Sequence, residues 1–292
     1  MMNNLSIDQL RSFVTIAETG SYTRAAERLF RTQPALSLQI KRLEDQLGTR
    51  LFQRNGRQTT VTESGQVLLD YAQRILDLNE EALAKLSVVE TEGAVRVGVL
   101  EEVTMGPLVG LLAKFGRLCT KIQIELHVAT SLDLAERIKA NKLCLAVANG
   151  AFKTGHTVTL WHEPYAWVTH PAYDYYKRDP IPLVLYPREY PCSLRDEALA
   201  GLARQGRRWE VVFSSVSEAA VHAAVLAGLG VGMLPQSTLS SEMQVLGPQE
   251  GMPPIPSAEI ALYRATEATS DAVDCLEDFL ISHLRSFSSQ SP

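Results

Sequence analysis

A chain of 292 residues that is 46% apolar and carries a net charge of −5 is long enough for two domains with ordinary hydrophobic cores. The negative balance argues against a protein that coats nucleic acid over its whole surface. No stretch approaches the roughly 18 apolar residues of a membrane span, and the N-terminus has no basic lead ahead of an apolar run, so a cytoplasmic protein without membrane contact is expected.

That average hides an asymmetry. Between Met1 and Gln58, nine Lys or Arg residues face five acids, a local balance of +4 that leaves −9 for the remainder. A basic head on an acidic body suits a polyanion-binding module joined to a part that avoids DNA. Ser6 followed by Gln9 has capping-box spacing, and Leu10, Phe13, Val14 and Ala17 recur at helical intervals, so a first helix ends near Gly20. Ser21 caps a short second helix over 22–30, in which Ala25 and Ala26 permit close approach of another helix. A third helix starts after Thr32 or Gln33, with Pro34 in its first turn, where its missing N–H costs nothing. Leu36, Ile40, Leu43 and Leu47 form its buried stripe, and Gly48 ends it. Pro34, Leu38, Lys41 and Asp45 then point outward, with Gln33 and Ser37 on the flank.

Two short helices joined by a tight turn, the second bearing amide, hydroxyl and basic groups outward, fit a helix-turn-helix with double-stranded DNA as partner. Gln33 suits an adenine edge, Ser37 either base type, Leu38 a thymine methyl, and Lys41 a phosphate. Ser21, Tyr22 and Thr23, at the start of the second helix, join the candidate DNA-binding set. The alternative is a small three-helix core with a solvated face. The segment Arg54-Asn55-Gly56-Arg57 lies between β-prone arms and reads as a hairpin with an Asn-Gly turn, a wing whose Arg54 and Arg57 reach phosphates or a narrow minor groove.

The run Phe13 to Ala17, Gly20-Ser21, Ala25-Ala26, Thr32-Gln33-Pro34-Ala35-Leu36-Ser37, Gln39-Ile40, Leu43-Glu44, Leu47-Gly48, Leu51-Phe52-Gln53-Arg54, Thr62-Glu63 and Gly65 resembles the LysR-type DNA-binding domain from end to end. Many members have Arg where this chain has Leu38, so a guanine contact made by that arginine does not carry over.

Thr62 caps a long helix to about residue 90. Leu68, Ala72, Ile75, Asn79, Ala82 and Leu86 repeat every 3.5 residues along it, widened by Leu69, Leu76 and Leu83, which predicts a dimerising seam. Asn79 either pairs with its equivalent to fix the register or faces solvent. The resemblance implies a homodimer or homotetramer through this helix and the effector domains, with RNA polymerase as a further partner.

Beyond Gly93 the pattern alternates strands and helices: strands over 94–100, 122–128 and 143–148 with helices over 107–118 and 132–141 between them. After a connector over 161–170, strands over 181–186, 209–214 and 231–234 alternate with helices over 193–205 and 216–228. A last strand, 258–264, and a final helix over 270–287 return to the first set. Parallel sheets with helices on their faces are expected, in two lobes of about 92–165 with 265–292, and 166–264. This half is similar to the two-lobed, periplasmic-binding-protein-like effector domain of LysR regulators, above all in Val225 to Gly232 with Leu234-Pro235. Met252 to Pro256 and Pro182 to Tyr186 resemble the branch containing LrhA and HexA. The expected organisation is therefore a winged helix-turn-helix at 1–62, a linker helix at 63–91 and an α/β effector domain at 92–292.

Ligands of open α/β sheets sit beyond the carboxyl ends of strands, near helix N-termini. Those points carry Glu101, Glu102, Val103 and Thr104, then Thr130 and Ser131, then Ser214 and Ser215, the candidate residues for a small-molecule effector. Each hydroxyl there serves equally as a helix cap. Glu101 and Glu102 either favour a neutral, hydroxylated or cationic ligand or stabilise the following helix N-terminus.

Enzyme chemistry finds no complete motif. Gly228, Gly230 and Gly232 follow a helix and precede a strand, the reverse of a dinucleotide fingerprint, and His162-Glu163 lacks the second histidine of a zinc protease because Ala166 stands there. Cys119, Cys144, Cys192 and Cys275 form no Cys-x-x-Cys pair, so free and mostly buried thiols are expected, with no metal and no cofactor beyond the effector. A small-molecule binder without DNA function is countered by the wing.

Overall fold

The computed structural model describes residues 4–55, 58–87, 91–106, 108–150 and 156–284, and the chain divides into two compact units at Glu90/Thr91. The first unit holds helices α1 (Ile7–Thr19), α2 (Tyr22–Arg28) and α3 (Gln33–Leu47), strands β1 (Phe52–Asn55) and β2 (Gln58–Val61), and the long helix α4 (Glu63–Ser87). Ser6 Oγ accepts from Gln9 N while Gln9 Oε1 accepts from Ser6 N, the reciprocal cap that the spacing predicts. Gly20 and Gly48 take left-handed backbone and end their helices. The core gathers Leu10, Phe13, Ile16, Ala25, Leu36, Ile40, Leu43 and Leu51.

β1 and β2 pair antiparallel, with Asn55 opposite Gln58. Hydrogen bonds from two helices fix this hairpin. Thr59 N donates to Gly20 O at 3.2 Å, and the buried Glu44 carboxylate accepts from Leu51 N at 2.8 Å and Phe52 N at 3.4 Å while Arg50 pairs with it at 2.7 Å. Thr62 Oγ1 caps α4 by accepting from Gly65 N at 3.0 Å. A Cβ on Gly65 would stand 2.2 Å from Leu51 O, so only glycine lets α4 lie this close to the strand entry.

The expected seam of α4 is partly spent inside its own unit. Leu68 and Ala72 are buried in the three-helix core, with Leu69, Ile75 and Leu76 packed against it. Among the described side chains of α4, the exposed large apolar ones are Val67, Tyr71 and Leu78, which are not members of the predicted seam, while the side chains of Leu83 and Leu86 lie outside the described residues.

The second unit contains β3 (Gly93–Val99), α5 (Glu101–Met105), α6 (Leu108–Leu118), β4 (Ile122–Val128), α7 (Ser131–Lys139), β5 (Leu145–Asn149), β6 (His156–Glu163), β7 (Tyr165–Thr169), β8 (Ile181–Leu185), α8 (Ser193–Arg204), β9 (Trp209–Ser214), α9 (Glu218–Leu226), β10 (Val231–Pro235), β11 (Gln244–Leu246), β12 (Ala258–Arg264) and α10 (Asp271–Leu284). Two five-stranded sheets form, ordered β4-β3-β5-β12-β6 and β11-β7-β10-β8-β9. The parallel triplets β4-β3-β5 and β10-β8-β9 match the expected alternation.

Each sheet also carries antiparallel strands: β6, β7 and β11, which the sequence reading lacks, and β12, which it has as a strand without its antiparallel pairing. β12 runs antiparallel to both β5 and β6, and β7 to both β10 and β11. The segment read as a connector over 161–170 is thus the end of β6 and all of β7, joined through Pro164 where the chain passes between sheets. The last strand, Ala258–Arg264, returns to the first sheet as expected, where β12 fills the slot between β5 and β6, so the lobe limit at 264 moves back to take this strand into the first lobe. Gly228 ends α9 at φ 72°, and a Cβ on Gly230 would stand 2.5 Å from Pro182 O, so these glycines serve a helix-to-strand turn against β8. Cys119 and Cys275 bring their sulfurs to 3.7 Å without a bridge, and all four cysteines are half-buried rather than buried.

Glu44 carries the attachment of α3 to the hairpin, so Glu44→Ala should lower the stability of the N-terminal unit by about 2–3 kcal/mol, the usual cost of removing hydrogen bonds to a charged group. Urea unfolding of the wild-type and variant chains, followed by circular dichroism, measures it.

Candidate functional site

In the first unit, Gln33, Pro34, Leu38 and Lys41 are exposed on one face of α3 and Ser37 is half-exposed beside them. Gln33 Nε2 donates to Ser37 Oγ at 2.9 Å, so among the described residues these two side chains engage each other. On the opposite flank, Gln39 Oε1 accepts from Ser12 Oγ at 3.1 Å and from Arg31 Nη1 at 2.8 Å, and Arg31 reaches Asp8. This network ties α3 to α1 and fixes which face looks outward. Thr23 is exposed in the first turn of α2. Ser21 caps that helix by accepting from Arg24 N, and the Tyr22 ring packs edge-on against Phe52 at 5.9 Å, so both have structural work in the helix and hairpin. Arg54 lies on β1, with its side chain outside the described residues, as is Arg57 altogether.

In the second unit, the candidate effector residues fall at strand ends as expected, yet most are already engaged. Thr130 caps α7, Ser131 Oγ donates to Asn149 Oδ1, Thr104 Oγ1 donates to Glu101 O, and Ser215 Oγ accepts from Ser217 N. Val103 is buried in the core of the first lobe and offers no side chain to a ligand, because α5 must bury one face against the sheet. Ser214, at the end of β9, is exposed.

Glu101 and Glu102 do other work. The Glu101 carboxylate, on the first lobe, accepts from Ser217 Oγ at 3.0 Å, Glu218 N at 2.8 Å and Ala219 N at 3.4 Å, all at the N-terminus of α9 in the second lobe. The favourable charge–dipole interaction falls on α9, across the junction. Glu102 Oε1 accepts from Tyr165 Oη at 3.1 Å. Glu218 is 1% exposed; its Oε2 accepts from Tyr186 Oη while its Oε1 has no partner. Glu163, also buried, accepts from Trp161 Nε1 and Ser237 N, each at 3.0 Å. Sequence reasoning missed Glu163, Tyr165, Tyr186 and Glu218; the one local signal was an acid opening the otherwise apolar helix 218–226.

Burial pushes the Glu102 carboxyl up, and the neighbouring Glu163 and Glu101 add to it. Glu218 is pushed up to about 8, chiefly by burial, with Glu102 and Glu101 adding repulsion that the Tyr186 hydrogen bond only partly offsets. Burial and the same carboxylates hold the Tyr165 and Tyr186 phenols well above their usual range. Near neutral pH the junction therefore keeps Glu218 protonated. Elsewhere, a hollow of about 670 Å³ is lined by His156, Arg264, Thr266, Glu277 and Asp278 among others, where Arg264 pairs with Asp274 and Glu277 and His156 lies 3.1 Å from Glu277. No cluster with the makings of a metal site occurs among the described residues, and no helix among them is long and apolar enough to cross a membrane.

Comparison with known proteins places both units. Residues 7–66 match the bacterial regulatory helix-turn-helix protein, lysR family, and residues 89–285 match the LysR substrate binding domain. The chain is 31% identical to the HTH-type transcriptional regulator PecT of Dickeya dadantii over 285 residues, covering 96% of this chain and 90% of the relative. It is 33% identical to the HTH-type transcriptional regulator DgdR of Burkholderia cepacia over 260 residues, covering 89% and 87%. Among solved structures, CrgA, a LysR-type regulator from Neisseria meningitidis, aligns with a TM-score of 0.55 at 23% identity, covering 96% of this chain and 99% of that one. Full-length BenM aligns at 0.53 and 20%, covering 98% and 99%.

The raised Glu218 carboxyl sets a pH dependence. Between its ordinary value of 4.5 and about 8, the folded state holds a proton that the unfolded chain releases, so stability falls as pH rises through that window, by up to about 1.4 kcal/mol per pH unit. Glu102 acts in the same direction. Glu218→Gln should leave the melting temperature near wild type at pH 5 and raise it above wild type at pH 8; equal slopes in the two proteins would contradict the assignment.

Proposed function

Given that the chain belongs to the LysR family of bacterial DNA-binding transcriptional regulators with an effector-binding domain, we propose how its own residues divide the work. A DNA-reading head spans 1–62, a linker helix 63–91 and the effector-binding domain 92–292. The exposed face of α3 carries the reading: Gln33 and Ser37, bonded to each other, exchange that bond for base edges, Leu38 meets a thymine methyl, and Lys41 takes phosphate. Thr23 adds a phosphate contact at the start of α2, Ser21 and Tyr22 hold that helix end in place, and Arg54 and Arg57 extend the contact through the hairpin.

The chain works as an oligomer. Val67, Tyr71 and Leu78 leave an apolar stripe on α4 at helical spacing, suited to a second copy. Both effector sheets have edge strands with outward apolar residues, Leu126 and Val128 on β4 and Val211 and Val212 on β9, which suit pairing of effector domains. A small effector at the lobe junction shifts the population of lobe arrangements, which changes the spacing of the heads, the bend of the operator and the access of RNA polymerase. The acidic surroundings of Glu102 and Glu218 favour a neutral or cationic effector. Met252 to Pro256 and Pro182 to Tyr186 support the narrower placement beside LrhA and HexA, and the cytoplasm, where the chromosome lies, is the site of action.

Selection of bound sequences from random double-stranded DNA tests the division. Gln33→Ala or Ser37→Ala should relax preference at particular positions by about 1–3 kcal/mol per base, while Lys41→Ala should weaken all sequences alike and lower the slope of log affinity against log salt by about 1. Uniform weakening by all three changes would overturn these roles. Leu78→Asp should shift the sedimentation of the full chain toward the monomer at micromolar concentration; an unchanged distribution would remove α4 from the interface.

A further inference from the structure

We infer that the first turn of α9 is an anion site whose occupant is the chain's own Glu101, so that this carboxylate fastens the two lobes together and bars carboxylate effectors from that position. The inference rests on the reading of the unit as an effector domain and names the charge of the effector it admits.

An isolated helix leaves its first N–H groups unpaired, which makes its N-terminus a receptor for anions. In α9 every one of them is accounted for. Ala220 N reaches Ser217 Oγ at 3.3 Å, Val221 N reaches Ser217 O at 3.2 Å, and Ser217 N reaches Ser215 Oγ at 3.1 Å. The two that remain, Glu218 N and Ala219 N, take the Glu101 carboxylate, joined by the Ser217 hydroxyl. Three donors converging on one carboxylate is the arrangement a helix end offers to a ligand anion, and here the anion arrives from a residue 116 positions earlier, on the lobe built around the other sheet.

The surroundings decide which ligands remain possible. The charges acting on Glu218 and Glu102 come from carboxylates and tyrosines, with no Lys or Arg among them. A carboxylate effector would have to displace Glu101 and then sit beside that displaced carboxylate, in acidic surroundings that favour neutral groups. The buried Oε1 of the protonated Glu218, which lacks a partner, suits a neutral hydroxyl, which can accept from this carboxyl or donate to it.

Chemical rescue tests this with acetate as the probe. Full-length wild type, Glu101→Gln and Glu101→Ala are melted at pH 6.5 in rising sodium acetate, with sodium chloride at matched ionic strength as reference. Glu101→Ala should melt below wild type in chloride and regain about 2–4 °C relative to wild type at 100 mM acetate, as acetate fills the vacated site. Wild type and Glu101→Gln should show no such gain. An alanine variant as stable as wild type, or acetate moving all three proteins equally or none, would overturn the inference. Should Glu101→Ala fail to fold, Ser217→Ala decides: its melting penalty should be at least twofold larger in wild type than in the Glu101→Gln background, and equal penalties would contradict the latch. Failure of wild type to bind any double-stranded DNA would instead strike the regulator reading, leaving the rescue result to judge the latch alone.

Discussion

Much of the effector unit depends on how one carboxylate is satisfied. Burying acids at the junction of two lobes without a cation is costly unless each is hydrogen-bonded or protonated. The fold uses both solutions side by side: Glu101 is satisfied by the amide groups of α9, while Glu218 keeps its proton and leans on Tyr186. Because Glu101 follows β3 of one sheet and α9 precedes β10 of the other, satisfying that charge also sets how the lobes meet. Two connections carry the chain between the sheets, through Pro164 and between β11 and β12.

The DNA-reading unit uses a related device for a different end. Glu44, buried on the inner side of α3, accepts backbone N–H groups at the entry to the hairpin and pairs with Arg50. The same helix therefore presents Gln33, Ser37, Leu38 and Lys41 outward from a fixed base. Leu38 gives this face an apolar centre where an arginine would give it a charge, which favours methyl contact over bidentate guanine recognition.

Local chemistry was legible in the sequence wherever a few neighbouring residues decide the outcome. Ser6 with Gln9, Gly20 and Gly48 marked helix ends because caps are chosen within a handful of positions; Gly56 of the Asn55-Gly56 turn lies outside the described residues. What escaped was set by distant partners. β6, β7 and β11 lack a distinctive local pattern and become strands by pairing antiparallel across each sheet. The spacing along α4 does put Leu68, Ala72 and Ile75 on one side of the helix, yet periodicity does not say whether they meet another chain or their own core. Glu101 and Glu102 were noticed as an unusual pair, but their roles depend on Ser217, Glu218 and Tyr165, which only the folded chain brings near.

The bond between Glu101 and α9 is most directly read by amide hydrogen exchange in the full-length protein. The account predicts that Glu101→Ala strips protection from the amides of Glu218 and Ala219 while those of β8 and β10, in the core of the same lobe, exchange as in wild type. Unchanged protection at Glu218 and Ala219, or a uniform loss across the whole lobe, would contradict it.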